Sequence, residues 1–210
     1  MSRGDTARLF VAIDPPPSVA EELVAWARRV ASAMRARTGA RDAPRLPVPF
    51  RVLDADSLHL TLCFLGARPA GEIEVLADAL ATCAQRSFEL SVGAPLWLPA
   101  RRPRSLAVEV HDRSGELERV HERVTATLRG VCTWQPERRR YRPHITLARV
   151  RHGAGRPQRR AGRQDEGGEQ PLAATPQLVF HAPAIVLYRS LLAPEGASYQ
   201  ALASCELGAR

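Results

Sequence analysis

The sequence predicts an α+β fold built on antiparallel strands. Three observations carry that prediction. Helical and strand periodicities are interleaved along the 210 residues. Several neighbouring strand segments have no helix between them, which a parallel crossover would require. One short strand pattern, His-x-Thr-Leu, occurs twice, at His59–Leu62 and His144–Leu147.

The elements follow in order. Arg8 to Ile13 (R-L-F-V-A-I) is an apolar run stopped by Asp14 and three prolines, so it reads as a buried first strand. Residues 18–38 carry Val19, Leu23, Trp26, Val30 and Met34 at three- and four-residue spacing. Ser18 with Glu21 fits a capping box at the start, and Gly39 fits a C-cap beyond the end. The Pro- and Arg-rich stretch 40–50 reads as a loop.

Ser57 to Leu65 alternates with period two and predicts a strand. Glu72 to Arg86 places Ile73, Leu76, Leu80 and Cys83 on one helical face. Strands are expected at Phe88–Val92 and Ser105–Val110, then a third helix over Ser114–Leu128, with Gly130 beyond its end. Arg142–Val150 reads as a strand, and the Gly-, Arg- and Gln-rich tract 152–171 as a mobile loop. Gln177–His181, Ile185–Tyr188 and Tyr199–Leu207 are the last strand segments.

A chain of this length can bury a core without staples, so a single domain over 1–210 is expected. Apolar residues make up 45% and charged residues 25%, which excludes whole-chain disorder. No apolar run approaches the roughly 18 residues of a membrane span, and Met1–Asp5 lacks the apolar core of a signal peptide. A cytoplasmic monomer away from membranes is the expectation. Cys63, Cys83, Cys132 and Cys205 form no C-x-x-C pair and read as small buried hydrophobes.

The net charge of +8 makes an anionic partner plausible. All 30 basic residues are arginine, with neither lysine nor asparagine in the chain. GC-rich codon usage would produce that skew in any protein, so charge by itself does not establish nucleic-acid binding.

The chemistry lies in the repeated motif. In a strand, His59, Thr61 and Cys63 share one face, and His144, Thr146 and Ala148 share the corresponding face of the second copy. The apolar faces would pack beneath helices, leaving the polar faces to look into a common cleft. One buried His-x-Thr is ordinary, but two copies among six histidines arise by chance roughly once in a few thousand sequences. Hydrolysis of a cyclic phosphodiester needs one group to take a proton from water and another to give one to the leaving oxygen. Imidazole suits either role near neutrality, and hydroxyls with an arginine would hold the nonbridging oxygens.

R-L-F-V-A-I-D (8–14), S-L-H-L-T-L-C-F-L-G (57–66), R-P-H-I-T-L-A-R-V (142–150) and V-L-Y-R-S (186–190) resemble the RNA 2′,3′-cyclic phosphodiesterase (2′-5′ RNA ligase) family of the 2H phosphoesterases. The resemblance implies a bilobal α+β fold, two antiparallel sheets related by a pseudo-twofold axis around a central cleft, with helices on the outer faces. It also implies metal-independent hydrolysis of RNA 2′,3′-cyclic phosphate ends to 2′-phosphomonoesters, together with reversible 2′-5′ ligation; small cyclic phosphates would also fit a shallow basic cleft. No cofactor is implied.

Carried over by position, His59 and His144 are the catalytic pair, with His59 as acid and His144 as base. Thr61, Thr146 and Arg149 are the phosphate contacts, and Phe10 is a base-stacking ring. Simple alternation puts Arg149 on the apolar side, so a bend or bulge is needed to re-aim it. Cys63-Phe64 stands where the family often has an arginine before F-L-G. A non-catalytic RNA-end binding module is the alternative, and a metallohydrolase lacks ligands near either histidine at metal spacing.

Overall fold

Thr6–Ile13 forms β1, which is flanked by a strand on either side and buries Leu9–Ile13 on both of its faces. That double burial is why its sequence is a continuous apolar run. The computed structural model describes residues 5–37, 50–100, 103–150, 172–193 and 196–208. Gly39, the 40–49 part of the predicted loop and the 152–171 tract lie outside the described residues.

Helix α1 spans Pro17–Arg37 and buries Val19, Leu23, Trp26, Val30 and Met34, the predicted stripe. Its start differs from the prediction. Pro17 opens the first turn, where a missing N–H costs nothing, and the Ala20 N–H reaches the Pro16 carbonyl at 3.0 Å. Ser18 therefore lies inside the helix rather than capping it. The Trp26 indole N–H donates to the Ala174 carbonyl at 2.8 Å, tying α1 to the chain before the last strands.

Helix α2, Ile73–Ala81, is shorter than the periodicity suggests. The Thr82 hydroxyl donates to the Ala79 carbonyl, and Ser87 and Arg86 are drawn into pairing with Gly208. Helix α3, Glu116–Val131, runs past the predicted end, so Gly130 lies in its last turn. Its N-terminus is held by Asp112, whose carboxylate accepts the Leu117 and Ser114 N–H groups at 2.7 and 2.8 Å. Gly115 sits at φ 75° between them, a left-handed conformation that favours glycine. Leu117, Val120, Val124 and Leu128 are buried, as the periodicity requires.

The remaining strands are β2 (Phe50–Val52), β3 (Leu60–Pro69), β4 (Glu89–Leu98), β5 (Ser105–His111), β6 (His144–Val150), β7 (Val179–His181), β8 (Ala184–Ala193) and β9 (Gly196–Glu206). All pair antiparallel, in the order β7-β4-β5-β6-β3-β1-β8-β9, with β2 on β6. The two expected antiparallel halves are present, and they are fused into one nine-stranded sheet among the described residues. The junction is one residue pair, Leu60 with Ile145. The sequence gives no sign of β2, because three residues at a loop edge are too short a pattern to read.

The helices lie against the apolar side of this sheet, α1 on β6 and β2, α3 on β3, and α2 on α3 and β9. Cys63, Cys83 and Cys205 are buried free thiols and Cys132 is half-buried. No helix among the described residues is long and apolar enough to cross a membrane.

Ile145 is fully buried at the junction. Ile145→Ala is expected to cost about 2–5 kcal/mol from lost transfer energy and the cavity left behind. Denaturant unfolding should show a lower midpoint; an unchanged midpoint would mean that the junction is not a packed site.

Candidate active site

The single Leu60–Ile145 pair brings the two copies of the motif together. The antiparallel register about it sets His59 across from Thr146, and Thr61 across from His144. Leu60 and Ile145 point into the core, so the two histidines and two threonines share the opposite face, each half-buried.

Both rings are anchored in the same way. His59 Nδ1 lies 3.0 Å from the Ser57 carbonyl, and His144 Nδ1 lies 2.7 Å from the Arg142 carbonyl. A carbonyl only accepts, so Nδ1 carries the hydrogen in each ring and Nε2 is left as the working nitrogen. Ser57 and Arg142 hold equivalent places before their motifs, so the repeat extends to the backbone that orients the imidazoles.

The repeat also includes an irregularity that alternation does not anticipate. Between β1 and β3, Val11 faces Cys63 while Ala12 faces Thr61, leaving Leu62 as an extra residue. Between β5 and β6, Leu106 faces Ala148 while Ala107 faces Thr146, leaving Leu147. Each motif thus has a bulge at its leucine, which flips the faces that follow.

Strict alternation places Cys63 beside His59 and Thr61. It is instead buried, its thiol 3.3 Å from the Thr125 hydroxyl of α3, and Phe64 is turned outward at 55% exposure. In the second copy Ala148 joins the core rather than the His144 face, and Arg149 is exposed on the histidine side. The bend required to re-aim Arg149 is present. Phe64 and Arg149 are therefore corresponding residues of the two halves, aromatic in one and cationic in the other.

His59 rests in a nest of rings. Its centroid is 4.8 Å from Phe10 and 4.9 Å from Tyr199, the latter edge-on at 88°. Phe10 stacks on Tyr188 at 5.2 Å and meets Tyr199 at 5.1 Å. The Tyr188 hydroxyl donates to the Asp14 carboxylate, whose pKa burial raises above the usual carboxylate value. Phe10 is 3% exposed, so it offers a base no open face and acts as the floor under His59. Phe64, by contrast, is open to solvent.

Burial pushes the His59 imidazole down to about 4; the Ser57 carbonyl opposes that shift, and the charges of Arg149 and His144 add to it. Arg149 and His144 therefore both act on His59 through the cleft. A cavity of about 570 Å³ opens beside Thr61 and His144, with Phe64, Trp134, Tyr141 and Arg104 among its walls. That is within the range of small-ligand sites. The Tyr141 hydroxyl donates to the Thr61 carbonyl at 3.2 Å, a second tie between the chain entering β6 and strand β3.

A profile for the 2′-5′ RNA ligase superfamily matches residues 15–166, which span both motifs. The chain belongs to that superfamily. Two relatives, from Aeropyrum pernix and Geobacillus stearothermophilus, are both called RNA 2′,3′-cyclic phosphodiesterase. The first is 29% identical over 105 residues, 50% of this chain and 59% of that protein. The second is 32% identical over 147 residues, 68% of this chain and 44% of that protein. The chain thus spans about half the length of these curated relatives.

Among solved structures, TT0787 of Thermus thermophilus superimposes with a TM-score of 0.70 at 24% identity, covering 95% of this chain and 97% of that one. Escherichia coli LigT complexed with 3′-AMP gives 0.71 at 22% identity, covering 97% and 99%. These likenesses show a shared fold over 95% and 97% of this chain.

Of the residues expected from sequence, His59, Thr61, His144, Thr146 and Arg149 gather at the cleft, and Phe10 lies beneath it. The structure adds Phe64, Tyr141, Tyr188 and Tyr199, which sequence reasoning missed. For Phe64 a signal existed, since it stands five residues after His59 as Arg149 stands five after His144.

The His59 shift has a consequence for stability. An unfolded histidine takes a proton near pH 6.5, whereas folded His59 resists it until about 4. Between those values the unfolded state binds more protons, so stability falls as pH drops through that window. His59→Gln should flatten this dependence in thermal melts between pH 7 and 4, and an unaltered slope would refute the burial of the ring.

Proposed function

We propose that the chain hydrolyses 2′,3′-cyclic phosphate ends of RNA to 2′-phosphomonoesters by acid–base work of His59 and His144. The observation that supports this most strongly is the meeting of two His-x-Thr units at one residue pair, with each imidazole anchored at Nδ1 by the carbonyl two residues before it.

In this reading a water oxygen bonds to phosphorus as the P–O3′ bond breaks. One imidazole Nε2 takes the water proton, and the other gives its proton to O3′ as it departs. Thr61 and Thr146 hydroxyls and the Arg149 guanidinium hold the nonbridging oxygens as their charge grows. The nucleoside extends toward the cavity beside His144, with its base against exposed Phe64. Each step is carried by side chains of this protein. Among the described residues no three of His, Cys, Asp and Glu gather as metal ligands. The same cleft with a 5′-hydroxyl in place of water would run the reaction toward a 2′-5′ bond.

The resemblance makes His59 the acid and His144 the base. A second reading reverses them, and the burial of His59 favours it: a ring that is neutral before substrate arrives is ready to accept a proton. A 2′,3′-cyclic substrate with sulfur in place of the 3′ oxygen separates the two, because a thiolate leaves without a proton. The variant that has lost the acid regains activity on it, and the variant that has lost the base does not.

His59→Ala and His144→Ala should each lower kcat on a cyclic-phosphate dinucleotide by about 10²–10⁴, while product-analogue binding persists. Full turnover in either variant would overturn the two-histidine assignment, binding without turnover in the unaltered chain would leave the binding-module reading in its place, and loss of activity in excess EDTA would favour a metal-dependent one. With His59 as the base, kcat/KM of the wild type should hold below pH 6 and fall near about 4, where the ring becomes protonated. An acid limb near 6.5 instead would overturn that assignment.

A further inference from the structure

Arg51 of β2 lies directly across from Arg149 of β6 in the antiparallel register. Opposed residues of neighbouring strands share a face. The flanking residues on both strands, Val52 and Val150, pack against the core, so the two arginines stand on the cleft side. Like charges in this position repel, and proteins ordinarily answer them with a carboxylate. Here Arg68, Arg119 and Arg142 each pair with a glutamate, while neither Arg51 nor Arg149 has an ion-pair partner among the described residues.

The position of Arg51 is also built in from a second strand. Gly196, at the start of β9, has φ 142°, and a Cβ there would fall 2.5 Å from Arg51 Nη1. The bare glycine leaves the space that the guanidinium fills. Three residues on, Tyr199 meets the His59 ring. The Arg51 head group is thus set against β9, on the β2 residue that faces Arg149.

We propose that Arg51 and Arg149 together form a two-guanidinium phosphate site, in which Arg51 is a binding residue that neither motif contains. Two forks side by side match the nonbridging oxygens that a cyclic diester, its phosphomonoester product and an RNA phosphodiester all present. The inference rests on the proposed phosphodiesterase reading for its ligand class. The phosphate has two sources, the reacting group itself or the next phosphodiester of a longer RNA.

Inorganic phosphate and a nucleoside 2′-monophosphate are titrated calorimetrically into the full chain, into Arg51→Ala and Arg51→Gln, and into Arg28→Ala as a charge control on the exposed side of α1. Loss of a charge-assisted bond should weaken binding by about tenfold to a hundredfold in both Arg51 variants relative to the control. Equal affinity in the Arg51 variants and the control overturns the site. Thermal melts confirm that each variant is folded, and Arg51→Gln keeps most of the side chain while removing the charge.

Hydrolysis then assigns the source. Equal losses on a cyclic mononucleotide and on a dinucleotide ending in a cyclic phosphate place Arg51 on the reacting phosphate. A loss that removes only the preference for the dinucleotide places it on the neighbouring phosphodiester. A chain that binds phosphate through Arg51 and hydrolyses neither substrate would sink the enzymatic reading while leaving this site standing.

Discussion

The contact between Leu60 and Ile145 is the constraint on which the site depends. Two half-sheets, each with its own pairing and helices, touch through this one register pair. Because both residues are fully buried, the flanking positions are forced to the other face, where they form a quartet of two imidazoles and two hydroxyls. A shift of one residue in either strand would send a histidine into the core and an aliphatic side chain into the cleft. Full burial of both aliphatic side chains holds the register against that shift.

The paired bulges do for the ends of the motif what the junction does for its centre. Placing Leu62 and Leu147 outside the ladder moves Cys63 and Ala148 into the core and frees Phe64 and Arg149 for the cleft. The two halves are thereby alike in backbone and unlike in chemistry. One end carries Phe64 and opens on a cavity walled by rings and arginines; the other carries Arg149 and is lined with the rings around His59. A pseudo-symmetric frame thus carries a site whose two ends differ.

Much of the fold was legible because its elements are periodic. The stripes of α1 and α3 and the continuous run of β1 are burial patterns written directly into residue order. Their ends were less legible. Ser18 and Glu21 match a capping box, yet Pro17 already starts the helix, and α2 stops early because Thr82 and the pairing with Gly208 compete with it. Three-residue β2 has too few positions to show a period, although it carries Arg51. Phe10 resembles an exposed aromatic by its place in a motif, and only the packing of Tyr188 and Tyr199 over it shows that it is a floor.

What residue order determined by itself was the pair of His-x-Thr units and their strand context, because local spacing fixes which side chains share a face. Tertiary structure decided what spacing cannot encode: that the two strands meet at one pair, that an extra residue in each flips Cys63 and Arg149, and that Arg51 faces Arg149 across β2 and β6. Those outcomes depend on partners distant in the chain. Burial of His59 among rings from other segments, which sets its proton affinity, belongs to the same class.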